Sequence, residues 1–158
     1  DEDFYLRVRL DIADVSDADQ IAVGFLKNGR PTDGLLDTYT DYAVLNVDNG
    51  AVNIETRLNA GSASVTATGT SMIDYTTTGD VVDLEVRVSK GGAVNFLIDG
   101  AEPSTDVTGF VFDDGDTVNA AFLFLSDLIG GDPTITLHEW ESGYLSSRGP
   151  DNILDLED

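Results

Sequence analysis

The chain has 158 residues, no cysteine, and 30 acidic against 8 basic residues, a formal net charge of −22. One domain of this length can bury about 70% of its unfolded surface, and without cysteine it has neither a disulfide frame nor thiolate chemistry. Lys27 and Lys90 are its two lysines; phosphate backbones need clustered Lys and Arg, so direct nucleic-acid binding is excluded, and no run of about 18 apolar residues is present to span a membrane.

From the N-terminus, Phe4, Leu6, Val8, Leu10 and Ile12 alternate with Tyr5, Arg7, Arg9 and Asp11, the period of a half-buried strand. Asp14 to Asp19 is read as a loop. A short strand follows at Ile21 to Phe25, with Gly24 at a close approach of backbones. Asn28 to Asp41, with Gly29, Pro31 and Gly34, is expected to be a long surface loop. Tyr42 to Val47 and Val52 to Leu58 flank Asp48-Asn49-Gly50, a hairpin signal because Asn-Gly suits a type I′ turn. Ser64 to Thr68 reads as a strand with one face in solvent.

Val82, Leu84, Val86 and Val88 alternate with Asp83, Glu85, Arg87 and Ser89, then Lys90-Gly91-Gly92 turns into Val94, Phe96 and Ile98. Glycine supplies the positive φ of such a turn, and Asp99-Gly100 makes a second one. Phe110-Val111-Phe112 is a short apolar patch that ends in Asp113-Asp114-Gly115-Asp116. Val118 to Leu125 is apolar on both faces and is expected to be a central strand. Thr134 to Leu145 is the last strand. This makes about nine to eleven strands and no convincing helix, hence an all-β sandwich of two antiparallel sheets. The sandwich is expected over 1–145, with 146–158 as an acidic C-terminal tail that is flexible or acts as a docking arm.

The hairpin, with its final apolar-Asp-Gly, resembles a hallmark of concanavalin A-like, laminin-G-type jelly rolls, and the strand order over 4 to 145 fits. The segments FYLRVRLDIADVSDADQIAVGF, YAVLNVDNGAVNIET and FLIDGAEP are similar to capsid-coating decoration proteins of marine tailed phages. That resemblance implies a non-enzymatic virion structural protein on the outer capsid surface. Its partners would be capsid protein or further copies of itself in a homo-oligomer, with no nucleic acid and no membrane. The high aspartate and low lysine content suits a saline habitat, where salt shortens the range of charge repulsion. The alternative is a secreted, lectin-like carbohydrate-binding module, calcium-dependent or not.

Candidate sites are sparse. Calcium wants six to eight oxygen ligands, and it points to Asp14, Asp17 and Asp19 or, preferred for the sharp turn at Gly115, to Asp113, Asp114 and Asp116. No other cofactor is expected. Exposed aromatic platforms for a glycan would be Tyr39, Tyr42 and Tyr75. Tyr5, Arg7 and Arg9 either pair with carboxylates on the next strand or meet an acidic patch of a neighbouring subunit. For hydrolysis, Glu139 and Glu141 share one strand face, but Trp140 stands where some glycosidases of this sandwich carry an Asp. His138 is the only histidine, and there is no Gly-x-Ser-x-Gly elbow. The expectation is therefore that the chain performs no reaction.

Overall fold

The computed structural model describes residues 2–12, 18–27, 36–48, 50–72, 81–126 and 135–145. Asp14, Asp17, Tyr75 and 146–158 lie outside these residues, as does the side chain of Asp19. The described residues form nine strands: β1 (Phe4–Ile12), β2 (Ala18–Lys27), β3 (Tyr42–Asp48), β4 (Ala51–Arg57), β5 (Ser64–Ser71), β6 (Val82–Val88), β7 (Val94–Ile98), β8 (Val118–Ser126) and β9 (Ile135–Tyr144). A 3-10 turn runs over Leu36–Thr38. The four-stranded sheet has the order β7-β6-β1-β9 and the five-stranded sheet β5-β4-β3-β2-β8. Every pairing is antiparallel. The fold is thus the expected all-β, concanavalin A-like jelly roll.

Alternation dictates which side chains meet between the sheets. Leu6, Val8, Leu10 and Ile12 of β1, with Leu84, Val86 and Phe96 of the hairpin, face Ile21, Val23, Leu45 and Ile54 of the other sheet in one core. Gly24 is needed where it stands, because a Cβ there would lie 2.2 Å from the Ala43 carbonyl oxygen. No side chain fits between β2 and β3 at that point.

The expected central position of Val118 to Leu125 is corrected. β8 is the last strand of the five-stranded sheet and pairs with β2 alone among the described residues. Its double apolar character has another cause. Phe122 faces the core, while Ala121 and Leu123 pack outward against a second cluster of Ala22, Leu26, Leu36, Tyr39, Tyr42 and Val44. The 3-10 turn supplies Leu36 to that cluster, so the outer face of this sheet is roofed rather than open.

One long edge of the sandwich is closed by the segment between β7 and β8. Val107, Phe110 and Phe112 of that segment pack against the core. Val94 N–H donates to the Phe110 carbonyl at 3.1 Å and Phe112 N–H to the Gly92 carbonyl at 3.0 Å. The Ser104 hydroxyl donates to the Thr68 carbonyl of β5 at 3.0 Å, which ties the two sheets across this edge.

Candidate functional site

At the end of the sandwich nearest the start of β1, a cleft of about 1130 Å³ runs from Gly92 and Phe112 of the closed edge to the end of β9 on the opposite, β8–β9 edge. Its floor is built from Phe4 and Phe25, one from each sheet, in an edge-to-face contact at 5.0 Å. The Ser89–Gly92 turn of the long hairpin makes one wall. Asp3 holds that turn by accepting from Lys90 N–H at 2.8 Å. A second wall is the turn Asp113–Asp116, closed by Asp116 N–H donating to the Asp113 carbonyl at 3.1 Å, with Gly115 at φ +86°. The third is the end of β9, where Ser142 and Tyr144 line the cleft and Tyr144 is 56% exposed.

The three preferred aspartates reach this cleft but do not converge on a common point. The Asp113 carboxylate accepts from Asn59 Nδ2 at 2.8 Å, and Asp116 pairs with Lys27 Nζ at 2.7 Å. Among the described residues no three His, Cys, Asp or Glu side chains gather as a metal-ligand set. Asp116 fastens its turn to β2 through Lys27 and Asp113 to the turn after β4 through Asn59, while Asp114 stands on the rim. Lys27 also meets Asp41 at 3.4 Å. Its pKa is raised, first by the bond to Asp116, with burial opposing. Burial acts to raise the pKa of Asp41, yet the hydrogen bonds from Asn59 N–H and Thr40 and the charge of Lys27 hold it below the usual value.

The glycan tyrosines are corrected. Tyr39 and Tyr42 are buried under the roof of the five-stranded sheet and offer no platform. The Tyr42 hydroxyl donates to Glu55 at 2.7 Å, and Asn46 Nδ2 donates to the other Glu55 oxygen at 2.8 Å. Burial, then the bond to Glu55, raises the pKa of Tyr42 far above its ordinary value, and burial raises that of Tyr39. Tyr42, Glu55 and Asn46 thus form a bonded, buried set that offers a ligand no ring face.

Tyr5, Arg7 and Arg9 lie on the outer side of the four-stranded sheet, where Tyr5 is buried and neighbouring carboxylates occupy it and Arg7. Arg7 pairs with Asp83 at 3.0 Å and Tyr5 donates to Glu141 at 2.5 Å. Arg9 is exposed, opposite Asp83 and Glu139. Glu139 and Glu141 lie on this same outer face, away from the cleft. His138 is the extra residue of a bulge in β9 and meets Asp11 at 2.6 Å. Pattern reading missed Tyr144 as a site residue. The Trp140-Ser142-Tyr144 alternation put them on one face of the last strand, but it could not tell that the strand ends its sheet.

No family model and no curated protein matches the chain. Solved structures do share its fold. An alginate lyase from Pseudomonas aeruginosa superposes with TM-score 0.55 at 14% identity, over 90% of this chain and 65% of that one. A glycosidic hydrolase gives TM-score 0.53 at 15% identity, over 88% of this chain and 63% of that one. An alginate lyase of polysaccharide lyase family 7 gives TM-score 0.52 at 14% identity, over 90% of this chain and 62% of that one. The chain therefore spans under two thirds of these neighbours' lengths. The expectation that it performs no reaction is overturned as a deduction from its fold, since enzymes share this sandwich. The virion resemblance gains nothing from these neighbours.

Proposed function

We propose that this chain binds carbohydrate, in the cleft at the open end of the sandwich. The observation that carries this reading is Tyr144, a half-exposed ring on the wall of a cleft whose rim is polar. A sugar presents an apolar ring face and a hydroxyl edge. The ring face suits Tyr144, and the edge suits Glu2, Asp114, Ser142 and Lys90, the few polar groups a binding site needs to fix orientation. The neighbours named as alginate lyases and a glycosidic hydrolase support a carbohydrate ligand at the level of the fold.

Charge narrows the class. The rim carries Glu2, Asp113 and Asp114 against Lys90, with Asp116 paired to Lys27, on a chain of net charge −22. An anionic polymer such as alginate is repelled from such a surface, so the ligand in this reading is a neutral or amino-bearing glycan. Calorimetric titration with neutral, amino-sugar and alginate oligosaccharides tests it, and chromatography of the same samples reports any cleavage. The expected outcome is saturable binding of a neutral or amino sugar. Tyr144→Ala should weaken it about tenfold, the scale of one lost ring contact. Absence of saturation with every sugar, or unchanged affinity in Tyr144→Ala, overturns the proposal.

A further inference from the structure

Beyond the cleft, the same edge continues as a second, separate surface. Phe122 of β8 and Trp140 of β9 meet edge-to-face at 6.5 Å and bridge the sheets. On the far side of that bridge, the registers of Phe124 and Trp140 point into the sandwich. Phe124 stands opposite Ile21 and Trp140 opposite Val8, both fully buried. Leu137 likewise stands opposite buried Leu10. Yet Phe124, Leu137 and Trp140 are 41%, 47% and 43% exposed. They face the core with no layer over them among the described residues. Along them run β8 and β9, each the last strand of its sheet among the described residues, with main-chain donors and acceptors on their outer sides.

A strand edge with no partner among the described residues, beside uncovered interior apolar groups, is a template for one more strand. We propose that this edge receives an extended, basic segment of a partner protein, added as a strand to β9. Inward side chains of that strand would be apolar and would cover Leu137 and Trp140. Its outward side chains would be Lys or Arg beside Glu139 and Glu141, at the ~5 Å spacing of cross-strand neighbours. β9 is the receiving edge because it carries those glutamates, whereas the outer face of β8 presents Asn119, Ala121 and Leu123. Charge also selects the partner: two copies of a chain at −22 repel one another, while a basic segment is drawn in.

Trp140 is the single tryptophan, so its fluorescence reads this edge directly. The probe is an alternating Lys–Val peptide of about seven residues, the length of an ordinary strand. Saturable binding with a blue shift of Trp140 is expected. Methylating the peptide nitrogens that face β9 keeps its charge but blocks pairing, and should weaken binding at least about tenfold. Leu137→Lys should do the same; because Leu137 is half exposed, that variant keeps its fold, which circular dichroism checks. Three results overturn the proposal: no change at Trp140, equal binding of the methylated peptide, or self-association that Leu137→Lys abolishes, which would put a second copy there. None of them bears on sugar binding at Tyr144.

Discussion

The two long edges of the sandwich solve the same problem in opposite ways. Both expose the seam where two sheets meet, and both bring aromatic residues to it. At the β5–β7 edge the chain returns over the seam and inserts Val107, Phe110 and Phe112. Phe110 and Phe112 pack edge-to-face at 5.1 Å, and Phe112 is buried. At the β8–β9 edge Phe124, Leu137, Trp140 and Tyr144 stay partly in solvent. Covered seam is structural, because burial of a large side chain contributes about 1.5–3 kcal/mol. Uncovered seam forgoes that gain, and it is where a sugar or a strand can supply the missing contacts.

The sharpest way to break this comparison is to truncate one phenylalanine on each edge. Phe112→Ala should cost about 4 kcal/mol, since it removes a buried ring and leaves a cavity. Phe124→Ala should cost only about 1 kcal/mol, because much of its surface already meets water. Urea unfolding of the two variants, with equal m-values, measures the difference. Equal losses would mean that the β8–β9 edge is as much part of the core as the other. A second change acts where the closed edge meets the cleft wall. Gly92 sits at φ +82°, and a Cβ there would lie 2.6 Å from the Phe112 carbonyl oxygen. Gly92→Ala should therefore cost about 2 kcal/mol through backbone strain and a shifted clasp. The same measurement reads it, and a neutral outcome would show that the returning segment is loosely held.

Much of this division was hidden from pattern reading, for a physical reason. Alternation reports which face of a strand is apolar, and it located β1, β6 and β7 nearly residue for residue. It carries no information about lateral order. β8 reads like a central strand because both its faces are covered, and Trp140 reads like a packed residue because it points inward. Each is at an edge only because the chain places its strands in the orders β5-β4-β3-β2-β8 and β7-β6-β1-β9. The tyrosines failed similarly: Tyr39 and Tyr42 flank a polar loop, but the Leu36–Thr38 turn folds back over them. Asp113 and Asp116 drew attention as calcium ligands at a sharp turn; Lys27 and Asn59, distant in sequence, decide what their carboxylates bind.

The comparison extends to Tyr42 and Tyr144, one sealed and one open, and pH tests the seal. Tyr42 donates to Glu55 inside the roofed cluster. In the folded chain its phenol stays protonated well above the ordinary value of 10.0, first because burial disfavours the phenolate and then because the neutral phenol donates a hydrogen bond to Glu55. In the unfolded chain it ionises near that ordinary value. Above pH 10 the unfolded state thus gives up a proton that the folded state retains, and rising pH favours unfolding. The stability from this group is whole below pH 10 and is lost as pH climbs toward the folded pKa. Tyr42→Phe should cost about 1 kcal/mol at neutral pH, the worth of the bond to Glu55. Having no phenol to ionise there, it should lose less stability than the wild type above pH 10, so the two curves converge. Parallel curves would mean that water reaches Tyr42, and the contrast between a sealed sheet face and an open edge would fail at that face.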